Sequence, residues 1–171
     1  MSGWSSTGRV SQETGDRSVR DETPVCGGGI PLPPVSVPRG NYTPVLACDG
    51  FLFVAGQGPR WGDDLRYKGV VGKDFSVEEG QQAARLCALN IIAQVWNFLE
   101  GDLSRIRQLV RVAGVVRCTE KFEQQATVLN GASDLFGELL GDAGRHVRIA
   151  TGTSSLPSGM AVEVEAMFRI D

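Results

Sequence analysis

From Ser76 onward the apolar positions fall into two alternating periods. Ala83, Ala84, Cys87, Ala88, Ile91, Ile92, Val95 and Leu99 recur at spacings of three and four, as one face of a helix requires. Ser76 with Glu79 forms a capping box ahead of them, and Gly101 follows the last one. The pattern predicts a helix over about 77–99, with Trp96 on the edge of its core face. Val128, Leu129, Ala132, Leu135, Phe136, Leu139 and Leu140 mark a second helix over 122–140, ended by Gly141.

Between and after the helices the period changes to two. Ile106 to Cys118 reads as a long central strand, Val147 to Thr153 as another, and Met160 to Ile170 as the last. In the last strand Val162, Val164, Ala166 and Phe168 face one way, and Glu163, Glu165 and Met167 the other. Thr43–Cys48 and Phe51–Ala55 flank Asp49-Gly50, a strong hairpin signal because both turn residues tolerate positive φ. Gly56-Gln57-Gly58-Pro59 ends the second of these strands. A glycine-rich loop then runs to Gly72, with a short strand placed at Tyr67–Val71. The order ββ-α-β-α-ββ predicts an α+β fold, a mixed sheet with two helices packed on one face.

The first 25 residues or so break both periods. They are polar, with only Trp4 and scattered valines, and read as a flexible tail. Cys26-Gly27-Gly28-Gly29 and the prolines from Pro31 to Pro38 follow as an extended connector. The expected division is therefore tail and connector over 1–39 and one compact domain over 40–171. The triple glycine is not a phosphate loop, because no Lys-Ser/Thr pair and helix start follow it.

Composition narrows the function classes. The chain has 171 residues and a formal net charge of −3, without the basic excess expected of a nucleic-acid or membrane-surface protein. It contains no apolar run long enough to span a membrane and no apolar signal segment behind Met1, so the cytosol is the expected compartment. Cys26, Cys48, Cys87 and Cys118 show no C-x-x-C spacing, which argues against a zinc site, a redox motif or a disulfide framework. Cys87 and Cys118 sit in apolar patterns and read as small buried hydrophobes.

Arg148 is the residue with the clearest chemical potential. It interrupts Val147, Ile149 and Ala150 in the penultimate strand, where a guanidinium must snorkel or meet an anion. If that strand and the last one pair around Leu156–Gly159, Arg148 and Glu163 come close. Such a pair is either a structural salt bridge or a small-molecule site. In the second case arginine grips a carboxylate and glutamate places a water.

These residues resemble the signature of the YjgF/RidA (L-PSP) family of reactive-intermediate deaminases. Gly40-Asn41-Tyr42 looks like the family's opening Gly-x-Tyr, and Phe53-Val54-Ala55-Gly56-Gln57 like its strand ending in Ser-Gly-Gln. Asn90 and Asn130 resemble its two helix asparagines. Arg148 stands eight residues before Leu156-Pro157, and Val162-Glu163-Val164-Glu165-Ala166 resembles the closing Ile-Glu-Ile-Glu-Ala. The stretches Asn130–Leu135 and Gly144–Arg148 look like a less characterised branch with the chorismate-mutase-like fold.

The resemblance implies a homotrimer with sites between subunits, no cofactor and no metal. It implies hydrolysis of small carboxylated enamines or imines to 2-oxo acids and ammonia. Arg148 would grip the substrate carboxylate, Glu163 would position water, Tyr42 would line the pocket and Asn130 would support it. Ala55 and Ala150 replace the polar Ser/Thr and Cys that such deaminases usually carry, so the pocket is expected to be more apolar and to suit a larger acid. His146, the only histidine, shares a face with Arg148 and is a further candidate for the pocket. A metal-free ribonuclease, an activity also attached to the family, would need an acid–base pair and a basic surface, neither visible here. Two other readings remain: a trimeric receptor for a small carboxylate without turnover, and an interaction protein in which Arg148–Glu163 is structural.

Overall fold

The computed structural model describes residues 24–171, so the expected tail lies almost entirely outside the described residues. Five strands form one sheet: β1 (Val45–Cys48), β2 (Phe51–Gln57), β3 (Ile106–Arg117), β4 (Val147–Thr153) and β5 (Val162–Ile170). Their spatial order is β1-β2-β5-β3-β4. Helices α1 (Val77–Phe98) and α2 (Gln125–Leu140) cover one face. The fold is α+β with a mixed sheet, as the periodicity predicts.

Local chemistry explains the boundaries. Asp49 and Gly50 take φ of 49° and 77° in the β1–β2 turn, the positive values a tight hairpin needs. At the start of α1 the Glu79 amide donates to Ser76 Oγ at 3.1 Å, and the Ser76 amide donates to Glu79 Oε2 at 2.8 Å. These bonds satisfy two amides that have no intrahelical acceptor. Helix α2 begins at Gln125 rather than Phe122, because Phe122 closes a turn onto the Thr119 carbonyl first. The last strand begins at Val162 rather than Met160. Lys68 and Met160 form an isolated bridge instead of the strand expected at Tyr67–Val71, and a small pairing of Arg60–Trp61 with Asp64–Leu65 appears in the glycine-rich loop.

The topology corrects one expectation that bears on function. Strands β4 and β5 do not pair, because β3 lies between them, parallel to β4 and antiparallel to β5. The segment β3-α2-β4 is a crossover unit, the ordinary way to join parallel strands. Leu156–Gly159 is thus not a hairpin turn. It carries the chain past β3 to the other side, with Ser158 at φ 57°.

The core lies between helices and sheet, from Ala84, Ile91 and Val95 of α1 and Leu129 and Phe136 of α2 to Val112, Val164 and Phe168. The proline-rich stretch read as a connector contributes to it. Val25–Cys26 pairs with Ile30–Pro31, Cys26 is buried, and Leu32 is 0 % exposed. Leu32→Ala should therefore destabilise the protein by about 2–5 kcal/mol, as core leucine truncations do. Denaturant unfolding measures this, and a change near zero would mean that the segment is only draped on the domain. No helix among the described residues is long and apolar enough to cross a membrane.

Candidate active site

The sheet divides the sequence-predicted residues between its two faces. In β5, Val162 and Val164 are buried under the helices, so Glu163 between them points to the open face. In β4, Arg148 reaches α2 and lies on the helix side. The pairing of Arg148 with Glu163 expected within one chain is therefore absent, for two reasons: an intervening strand and opposite faces.

Glu163 sits at a cavity of about 510 Å³. Tyr42 and Ala55 line it, with Gly56, Gln57, Arg60 and Met160. The pairing of β2 with β5 shifts register between Val54 and Gln57, a bulge that re-aims the chain where Ala55 and Gly56 meet the cavity. A Cβ at Gly56 would stand 2.5 Å from Glu163 Oε1, so a larger residue there would displace the Glu163 side chain. Burial, and then the charge of Glu165, push the Glu163 carboxyl above the ordinary glutamate range. Among the described residues no Lys, Arg or His lies within salt-bridge distance of it; Glu165 instead pairs with Arg111 at 3.1 Å.

Buried amides hold the cavity wall in place. Gln94 Nε2 donates to the Ser36 carbonyl at 2.9 Å, and Ser36 Oγ donates to Gln57 Oε1 at 3.3 Å. Asn90 Nδ2 donates to the carbonyls of Arg60 at 2.7 Å and Gly58 at 3.3 Å. Asn90, one of the two resembling asparagines, therefore fixes loop backbone from beneath.

The second group surrounds Arg148. Its guanidinium donates to Asn130 Oδ1 at 2.8 Å, to Ser133 Oγ at 2.8 Å and to the Ala126 carbonyl at 3.0 Å. These acceptors are all neutral, and among the described residues no carboxylate pairs with Arg148. Three of its five N–H donors are used, which orients the group and leaves its charge uncompensated. His146 Nε2 lies 3.0 Å from Ser133 Oγ, and its Nδ1 lies 2.7 Å from the Gly144 carbonyl. The carbonyl must receive a proton from Nδ1, so a neutral His146 presents Nε2 as acceptor to the Ser133 hydroxyl. Ala150, two residues along, packs partly buried against the core. Periodicity did not expose Ser133, although it lies one helical turn from Asn130.

The candidate residues thus fall into two groups: an arginine without a carboxylate partner on the helix side, and a half-buried glutamate beside a cavity that Tyr42 also lines. The family model "YjgF/chorismate_mutase-like, putative endoribonuclease" matches residues 22–165. The chain belongs to this family. A curated relative, Protein TCP17 from Trypanosoma cruzi, is 39% identical over 144 residues, covering 84% of this chain and 89% of its own. The crystal structure of Atu1372 from Agrobacterium tumefaciens, of unknown function, is 42% identical with a TM-score of 0.79, over 84% of this chain and 87% of that one. A "putative endoribonuclease" from Shewanella oneidensis is 37% identical with a TM-score of 0.80, over 83% and 93% of the two chains. RidA from an Antarctic Psychrobacter is 18% identical with a TM-score of 0.53 over 80% and 94%, a likeness of fold alone.

Proposed function

We propose that this protein is a cytosolic hydrolase of small carboxylated imines and enamines, assembled as a homotrimer whose sites lie between copies. The observation that carries the reading is the state of Arg148, held by three neutral acceptors with no carboxylate partner among the described residues. A structural salt bridge would have used its charge; a carboxylate clamp keeps it available. Because Glu163 and Arg148 occupy opposite faces of one sheet, a complete site needs the Arg148 edge of one copy against the Glu163 cavity of another. The open sheet face suits such contact. Leu46, Phe53, Met167, Arg111 and Val147 form one row across all five strands, and Leu46, Phe53 and Val147 are 55%, 41% and 68% exposed. An exposed apolar row of this kind marks an interaction surface.

The chemistry asks little of the protein. Water adds to the imine carbon while Glu163 orients it, takes its proton and passes that proton to the imine nitrogen, which gives the carbinolamine. The carbinolamine then loses ammonia, so one imine and one water give one 2-oxo acid and one ammonia. Arg148 and its supports fix the reacting carbon by its neighbouring carboxylate. RNA cleavage is less well supported, since the sole histidine has both ring nitrogens engaged within its own chain. The alternative of a carboxylate receptor without turnover draws on Ala55 and Ala150, which place no hydroxyl or thiol near the clamp.

The test generates imines with an amino-acid oxidase and measures how much semicarbazide traps. Wild-type protein should reduce the trapped fraction, and Arg148→Ala should lower kcat/KM about 10²-fold or more while the assembly keeps its size. Carboxylate binding that depends on Arg148 without any turnover would select the receptor reading.

A further inference from the structure

Arg60 is a cation that the deaminase chemistry does not use. It lies in the small pairing Arg60–Trp61 with Asp64–Leu65, and it lines the same cavity as Glu163. Its backbone is fixed, because its carbonyl accepts from the buried Asn90 and its amide donates to the Gly58 carbonyl, while Nη1 of the side chain donates to the Asp63 carbonyl at 3.1 Å. It is half-buried. Its neighbours differ in one respect: Arg39 pairs with the Asp63 carboxylate at 3.2 Å and Arg66 with Asp64 at 2.5 Å, whereas Arg60 has no carboxylate partner among the described residues. Burial and the charge of Arg39 weaken its hold on a proton, and Asp63 offsets them only in part.

Arg60 and Glu163 thus share one cavity as opposite charges that do not pair. Had they been adjacent, each would have relieved the other's burial. Held apart, they leave room for a ligand with an anionic end and a reacting end.

We propose that Arg60 selects imino acids that carry a second anionic group at the far end of the side chain. This rests on the imine-hydrolase reading: Arg148 takes the carboxylate beside the imine, Glu163 faces the imine carbon, and Arg60 takes the distal anion. The replacement of Ser/Thr by Ala55 then does not make the pocket broadly apolar. The cavity exchanges a neutral polar group for a distal charge.

The discriminating pair is the imine of glutamate against that of glutamine, similar in size and different in charge, each made by an oxidase that accepts it. Wild-type protein should prefer the glutamate imine. Arg60→Gln should lower the glutamate-to-glutamine ratio of kcat/KM about tenfold or more, Arg60→Lys should restore part of it, and Arg66→Gln on the same loop should leave it unchanged. A ratio that ignores Arg60 overturns the proposal. If neither imine is turned over, the hydrolase reading has failed, and calorimetry with 2-oxoglutarate against 2-oxopentanoate still tests Arg60. Tighter dicarboxylate binding that is lost in Arg60→Gln supports distal-anion selection, and equal binding of both acids sinks it.

Discussion

Gly131→Ala should cost this protein about 3 kcal/mol or more of stability, although alanine is the better helix former by about 1 kcal/mol. The reason is the crossing of the two helices. A Cβ at Gly131 would overlap the backbone carbonyl of Gln81 on α1, and one at Gly80 opposite would press on Val128 at 3.1 Å. Backbone against backbone cannot be relieved by a rotamer change, so the helices must part and the layer beneath them must open. In a domain of this size the loss lowers Tm by roughly 6–12 °C. Gly137→Ala, in the same helix, is the control. A Cβ there meets nothing within 4 Å, so helix propensity alone acts and stability should rise by about 0.5–1 kcal/mol. Equal effects at the two positions would refute the close-crossing account. Gly131 also lies between Asn130 and Ser133, so a displaced α2 carries all three Arg148 acceptors with it. Whatever Gly131→Ala retains in folding, it should bind carboxylates more weakly than wild type.

Glu163→Gln should lower turnover of imines by about 10²–10⁴-fold with little change in binding of the product acid, because the amide fills the same space and cannot accept a proton. The pH profile gives a second readout. In the proposed hydrolysis only the ionised carboxylate can deprotonate water, so kcat/KM should rise with pH through the Glu163 titration. Burial and Glu165 raise that titration above the ordinary glutamate range, and the acid limb should be displaced upward with it. Glu165→Gln removes the neighbouring charge and should move the limb down, toward a normal glutamate. An acid limb no higher than that of an ordinary glutamate, or turnover intact in Glu163→Gln, would remove Glu163 from the mechanism.

Much of this architecture is legible in the sequence, for identifiable reasons. Ser76 with Glu79, Asp49 with Gly50, and the two helical stripes are local signals that tertiary packing reinforces. The pairing of β4 with β3 is harder, because alternation reveals a strand but not its neighbour. The βαβ order of Ile106–Thr153 was nevertheless available as a cue for a parallel crossover. Leu32 was hidden among prolines that suggest an extended chain, and such a chain can still plant one side chain in the core. The site divides in the same way. Arg148 and Glu163 are conspicuous as charges within apolar strands. Arg60 sits in a glycine-rich loop full of other charges, and what sets it apart is its place on the Glu163 cavity without a carboxylate partner among the described residues.

The cavity wall formed by Ser36 to Tyr42 belongs to no strand or helix. It hangs between Leu32 in the core and the turn into β1, tied by Gln94 and Gln57 through Ser36. On the proposed reading, the part of the cavity that would set selectivity is thus separable from the part that holds the fold. Val37 to Tyr42, beyond the Ser36 tether, contact neither the helix crossing nor the Arg148 supports, so changes there should leave both in place. Libraries confined to that stretch should recruit new substrates at little cost in foldability.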